Sequence, residues 1–237
     1  ASGNLTTSTE AYDPTTNTWE TLDNLTYPRT EFVGALLLDG RVLVSGGFNN
    51  FGYVDSTEVY DPVLTYTDWQ GIGNLAFARH NHTATLLIDG RVLLAGGLDG
   101  SWAATSSAEL YLPTNGRFNV TSSMSVARFL HTATLLDDGS VLLAGGMGPT
   151  ANYLPSAELY HPDTDLFLPT TGNLAAARYQ HTATRLVDGS VLIVGGSDAS
   201  GRLAGAERCA PFVGTFSLTT GSLVTARENH TATRLPD

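Results

Sequence analysis

Arg128-Phe129-Leu130-His131-Thr132-Ala133-Thr134-Leu135-Leu136-Asp137-Asp138-Gly139-Ser140-Val141-Leu142-Leu143-Ala144-Gly145-Gly146 reads as a strand, a tight Asp-Gly turn, a second strand and a double-glycine stop. The pair recurs at Gly46-Gly47, Gly96-Gly97, Gly145-Gly146 and Gly195-Gly196, in steps of 50, 49 and 50 residues. A period of that length sets the whole fold and has to be read before any local motif.

Other markers keep the same step. Glu-x-Tyr stands at Glu10 and Tyr12, Glu58 and Tyr60, Glu109 and Tyr111, and Glu158 and Tyr160. Glu207 opens a fifth copy in which Cys209 takes the tyrosine place. An aromatic follows at Trp19, Trp69, Phe118, Phe167 and Phe216, and an arginine at Arg29, Arg79, Arg128, Arg178 and Arg227. Histidine recurs at His82, His131, His181 and His230, with Phe32 in the first copy. Each period therefore holds four strands. Strand 1 is His-Thr-Ala-Thr-Leu-Leu, strand 2 is Val-Leu-Leu-Ala-Gly-Gly, strand 3 carries Glu-x-Tyr and strand 4 carries Trp or Phe. No segment has a useful helical period. Four short antiparallel strands per repeat, marked by Gly and aromatics, predict an all-β chain of propeller blades. The glycines allow close approach of neighbouring backbone or rings. Asp-Gly supplies the positive φ of a two-residue hairpin.

Counting strands gives one β-propeller domain over 1–237, with about five repeats. It starts at strand 3 of one blade and ends after strand 1 of another, His230 to Leu235. Strand 2 of that last blade is not in the sequence, which would leave unpaired backbone beside it. The expectation is a longer native chain, adding about one strand or one or two blades, with six or seven blades favoured over five.

The double glycine, the Tyr, the Trp or Phe, the Arg and the period near 50 together resemble the Kelch family, across the whole chain. The resemblance implies a β-propeller but no single function. The variant Ala-Arg-x-x-His-Thr-Ala-Thr resembles Kelch arrays of secreted or surface proteins, which implies an extracellular or cell-surface location. Asn-x-Thr sequons at Asn4, Asn24, Asn81, Asn119 and Asn229 add weak support. The family includes partner-binding modules and a few enzymes, and the reading taken is a binding or scaffolding module for a protein or carbohydrate partner, or for self-assembly. The second reading is the propeller part of a secreted copper-radical oxidase. That chemistry needs a Cys cross-linked to a Tyr, a second Tyr and two His. Cys209, the single cysteine, sits in a core position.

Composition narrows the classes further. All 12 basic residues are arginine, so lysine Schiff-base chemistry is excluded. A net charge of -11 argues against nucleic acid and anionic membranes. One cysteine excludes an internal disulfide and a thiolate metal cluster. No apolar stretch is long enough for a membrane span. Sialidase-type Asp boxes, Gly-rich phosphate loops and His-Glu-x-x-His are absent. No catalytic residue, metal or cofactor is expected.

Antiparallel order puts the 2–3 and 4–1 loops on one face and the Asp-Gly and Asp-Pro turns on the other. The 2–3 loops, Phe48 to Asp55, Leu98 to Ser106, Met147 to Pro155 and Ser197 to Ala204, do not repeat. Their Phe51, Tyr53, Trp102, Tyr153 and Arg202 are the candidate binding residues. The competing reading is that the rings cover strand ends. Arg79, Arg128, Arg178 and Arg227 with Glu58, Glu109, Glu158 and Glu207 read as structural pairs joining strand 1 to strand 3, within a blade or between blades. The alternative is that the arginines bind a carboxylate ligand. The repeat histidines read as structural, since a ring of them would be too wide for one ion. His80 and His161 fall outside the repeat and are expected to be solvated.

Overall fold

Strand 2 of each repeat is a short, continuous apolar run, the pattern of a strand covered on both faces. The computed structural model describes residues 5–63, 69–210 and 214–235 and bears this out. The fold is all-β, with no helix among the described residues and hence none long and apolar enough to cross a membrane. It opens with an antiparallel pair, β1 (Thr9–Asp13) and β2 (Thr18–Leu22). The first four-stranded sheet follows: β3 (Val33–Leu36), β4 (Val42–Ser45), the small hairpin β5 (Phe48–Asn49) and β6 (Gly52–Tyr53), then β7 (Thr57–Tyr60) and β8 (Gln70–Gly71). The second is β9 (Thr83–Leu86), β10 (Val92–Ala95), β11 (Ala108–Leu112) and β12 (Arg117–Val120). The third is β13 (Thr132–Leu135), β14 (Val141–Ala144), β15 (Ala157–His161) and β16 (Leu166–Pro169). The fourth is β17 (Thr182–Arg185), β18 (Val191–Val194), the hairpin β19 (Ser197–Asp198) and β20 (Gly201–Arg202), then β21 (Ala206–Cys209) and β22 (Phe216–Leu218).

All four large sheets are antiparallel and run in sequence order from strand 1 to strand 4. The first strands β3, β9, β13 and β17 lie against one another in succession. The core fills the space between sheets. Leu93 and Ala95 of β10 pack with Val141 and Leu143 of β14. Leu142 and Ala144, on the other face of β14, pack with Val191 and Ile193 of β18. Cross-strand register pairs the repeat aromatics, with ring centroids 5.3 Å apart for Tyr12 and Trp19, 5.1 Å for Tyr111 and Phe118 and 4.7 Å for Tyr160 and Phe167.

Two expectations are corrected. The Asp-Gly connection is not a two-residue hairpin. Gly40 N–H donates to Leu37 O at 3.1 Å and Leu37 N–H to Arg41 O at 2.8 Å, while Gly40 has φ +87° and Asp39 is not left-handed. This is a three-residue loop, a tight turn followed by a left-handed glycine that forms a bulge. The expected strand from His230 to Leu235 is also not formed. No second strand stands beside it among the described residues, so its backbone has no ladder to join. The two ends of the expected domain, residues 1–4 and 236–237, lie outside the described residues.

The double glycines lie in close contact with the neighbouring sheet. Gly96 has φ +65°, and a Cβ there would stand 2.4 Å from Arg128 O and 2.8 Å from His131 Cε1. Gly97 N–H donates to that same Arg128 O at 2.9 Å. The joint recurs with Gly47 and Arg79, Gly146 and Arg178, and Gly196 and Arg227. Gly96→Ala should therefore force the sheets apart and strain the backbone together, lowering stability by at least about 2 kcal/mol. Urea unfolding measures this, and a loss below about 0.5 kcal/mol would show that the joint can relax.

Candidate functional site

The repeated charges are built into the sheets. Arg79 precedes β9 and turns its side chain inward, where it is fully buried. Its Nη1 donates to Gly96 O and Ser107 O, both at 2.9 Å. Its Nη2 donates to Ser107 Oγ at 2.9 Å and to Glu109 Oε1 at 2.8 Å. Glu109 Oε2 accepts the N–H of Ala76 at 2.7 Å. The same lattice forms at Arg29 with Glu58 and Arg128 with Glu158, and without the serine hydroxyl, where Gly205 stands, at Arg178 with Glu207, with Nη2 to Oε1 distances of 2.6, 3.0 and 2.7 Å. In each pair both charges are buried and hydrogen-bonded, which makes the pair tolerable and loss of one partner costly. Burial pulls the Arg79 and Arg128 guanidinium pKa values down and the facing glutamates oppose that pull. Arg227 departs from the pattern, being exposed with no ion pair among the described residues, and Glu10 is likewise exposed. Four such pairs therefore form, each within one sheet.

The repeated histidines fasten sheet to sheet. His131 Nε2 lies 3.2 Å from Thr83 Oγ1, His181 Nε2 is 2.9 Å from Thr132 Oγ1 and His230 Nε2 is 3.2 Å from Thr182 Oγ1. The first joint lacks this bond. Val33 stands where the other sheets have Thr83, Thr132 and Thr182, and both nitrogens of His82 are buried without a partner. Beside the histidines runs a backbone relay. Asn81 N–H donates to Glu31 O, Leu130 to Asn81, Gln180 to Leu130 and Asn229 to Gln180, at 3.1 to 3.2 Å. All five residues are left-handed, with φ between 50° and 54°. Non-glycine residues rarely adopt that conformation, so the relay holds five side chains at one place against local strain. Among the described residues no group of three or more His, Cys, Asp or Glu is placed to hold a metal ion.

On the face of the 2–3 and 4–1 loops the structure gathers rings across the first joint. Phe48 and Tyr53 come from the β5–β6 hairpin of the first sheet. His80 and Trp102 come from the loops of the second. Their centroids lie 5.1 to 6.0 Å apart. His80 is fully buried here, which corrects the expectation that it is solvated. Three rings pack around it, and Glu31 Oε2, 3.7 Å from Nε2, brings a charge near. Burial lowers its pKa and Glu31 opposes the shift. Trp102 is 61% exposed and sits in the left-handed region at φ +61°. Phe51 at the hairpin tip is 93% exposed.

The sequence-chosen residues thus divide. Tyr53 and Trp102 meet, 5.8 Å apart. Phe51 lines a cleft with Tyr53 but makes no ring contact with the cluster. Tyr153 is half-buried and stacks on Tyr179 at 5.5 Å in the third and fourth sheets. Arg202 is exposed and pairs with Glu228 at 3.1 Å. The sequence reading passed over Phe48 and His80. Both are the first residue past a repeat marker, Phe48 after Gly47 and His80 after Arg79, a position where each repeat carries a different side chain. No protein-family model matches the chain, and no curated protein does either.

The joints yield two expected outcomes. Val33→Thr should place a hydroxyl opposite the unpartnered His82, and should stabilise by about 1 kcal/mol, or a few degrees of melting temperature. Buried Val→Thr ordinarily destabilises, so a lower melting temperature would mean that Val33 does not stand where Thr83 does. The second outcome concerns acid. Burial, then the neighbouring arginine, hold His82 and His131 well below 6.5 and His181 at about 3. Because the folded values are depressed, the unfolded chain takes up these protons first as pH falls. Stability should be full above about pH 6.5 and should fall below it by up to about 1.4 kcal/mol per pH unit for each such histidine. Urea midpoints at pH 7.5 and pH 5 measure the loss, and equal midpoints would contradict the burial of neutral imidazoles.

Proposed function

We propose that this chain is part of a Kelch-type β-propeller acting outside the cell as a recognition module. It holds a protein or glycan partner on the face of the 2–3 and 4–1 loops. Supporting the propeller are the period near 50, the four sheets of equal topology and the succession of their first strands. Supporting the extracellular placement are the resemblance to surface Kelch arrays and exposed sequon asparagines at Asn24, Asn119 and Asn229.

The observation that carries the function is the exposed Trp102, packed on Phe48, Tyr53 and His80 in a ring cluster that belongs to no repeat marker. The repeated residues are consumed in holding sheets together. The residues that differ from repeat to repeat stand on the loop face, where rigid scaffolds usually carry recognition. A large ring already held in place loses little freedom on binding, which suits an interface anchor. No observation favours the oxidase reading. The Cys209 thiol is buried, its pKa is pushed up to about 11 by that burial, and it faces Phe216 across the ladder.

Trp102→Ala should lower affinity for protein partners selected from surface-protein panels by about tenfold or more, near 1.4 kcal/mol. Its melting temperature should stay within about 2 °C of the parent, less than the shift 1 kcal/mol of stability would bring. Leu38→Ala, on the opposite face and 70% exposed, is the control that should change neither. Unchanged affinity in Trp102→Ala, or a loss of stability that matches the loss of affinity, would return the ring to a packing role.

A further inference from the structure

We infer that the cleft on the first four-stranded sheet is a binding site for an uncharged carbohydrate. The inference rests on the loop-face reading above and adds the place and the ligand class. The cleft has a volume of about 520 Å³ and lies between the loop before Arg29, the β5–β6 hairpin and the loop before Arg79. That is the size of a small-ligand pocket, room for one or two sugar rings and too narrow for a flat protein surface.

Its lining has the two features a sugar needs. Tyr27, Phe51 and Tyr53 offer aromatic surface for the C–H face of a pyranose. Asn49, Asp55 and Asn74 offer planar amide and carboxylate groups for its hydroxyls. The Phe51 ring is held outward by the turn it sits in. Its N–H donates to Asn49 Oδ1 at 2.8 Å, and Gly52 beside it takes φ +123°. A phenyl ring 93% exposed gains almost nothing from burial in the folded chain, so the fold does not account for it. Leu75 N–H donates to Asp55 O at 2.9 Å, which holds the Asn74 loop against the Asp55 loop and fixes the two polar walls relative to each other.

Charge selects among sugars. The lining contains no arginine, and the chain contains no lysine. A uronate or sulfate would find no cation in the cleft and a net charge of -11 around it. Glu58 at the cleft is not a free carboxylate, because it is bound to Arg29 and to the Thr26 N–H at 2.6 and 2.7 Å. Asp55 remains as an acceptor for hydroxyl groups.

The test is titration calorimetry of the whole chain with neutral gluco-, manno- and galacto-oligosaccharides, and with an oligouronate for comparison. At least one neutral series should bind. Phe51→Ala should weaken it by about tenfold or more with an unchanged melting temperature, and Asn74→Ala by about fivefold, on the scale of one stacking or hydrogen-bonding contact. Trp102→Ala should leave it within about twofold, because Trp102 does not line the cleft. Absence of neutral-sugar binding, tighter binding of the oligouronate, or wild-type affinity in Phe51→Ala would each overturn the inference. Sugar binding lost in Trp102→Ala and kept in Phe51→Ala would overturn the cleft and leave the loop face standing. Sugar binding indifferent to both would remove the loop face as well.

Discussion

A guanidinium buried away from water has to find acceptors for its N–H groups, and the arginine of each four-stranded sheet finds them for both terminal nitrogens within its own sheet, while the Nε of Arg29, Arg79 and Arg128 stays buried without a partner. Arg79 reaches the carbonyl that ends β10, the Ser107 carbonyl before β11 and the Glu109 carboxylate on β11. Its own carbonyl meanwhile accepts from Gly47 of the sheet before. The side chain thus closes one sheet and the main chain ties it to its neighbour. The glycines follow from this arrangement, because the approach that brings Gly47 N–H to Arg79 O leaves no room for a Cβ on Gly46. The Glu-x-Tyr strand follows too, since its glutamate is the charge that balances the arginine.

The first joint is built differently from the others. It keeps the glycine-to-arginine bond and the backbone relay but has no His–Thr bond, because Val33 replaces the threonine. The four-ring cluster spans this same joint, with Phe48 and Tyr53 on one side and His80 and Trp102 on the other. Apolar ring contact there takes the place of a directed hydrogen bond elsewhere. The glycine-to-arginine bond and the relay still fix the width of this joint. The same joint carries the proposed recognition surface.

Most of the scaffold was legible in the sequence, because its parts are demanded by backbone chemistry that repeats. The Gly-Gly step and the strand order could be read from spacing alone, and so could the Arg and Glu repeat, but not whether its pairs lie within one sheet or between two. The loop face was legible only as a location. Whether Tyr53 meets Trp102 or Tyr153 meets Tyr179 depends on how two loops of different sheets lean, and no period encodes that. His80 was misread for the same reason: nothing in its neighbours in sequence says that three rings from two hairpins will cover it. The Asp-Gly turn was misread at a finer level. The dipeptide signals a left-handed glycine in more than one hairpin type, and the strand register, from Leu36 opposite Val42, selects the longer one. Tyr111 shows the converse. Tyr12 and Tyr160 donate to Asn17 and Asp165 in the strand 3–4 turn, but the equivalent residue beside Tyr111 is Gly116, which supplies the left-handed turn and no acceptor.

With no lysine in the chain, a protease that cuts after basic residues has only the 12 arginines to use. Four of them, Arg29, Arg79, Arg128 and Arg178, have their side chains sealed inside the sheets. Cleavage at each requires its own sheet to open, whereas Arg185, Arg202 and Arg208 stand at the surface of the folded chain. A digest of this protein is thus a map of local opening, in which every fragment end at a sealed arginine names the sheet that came apart.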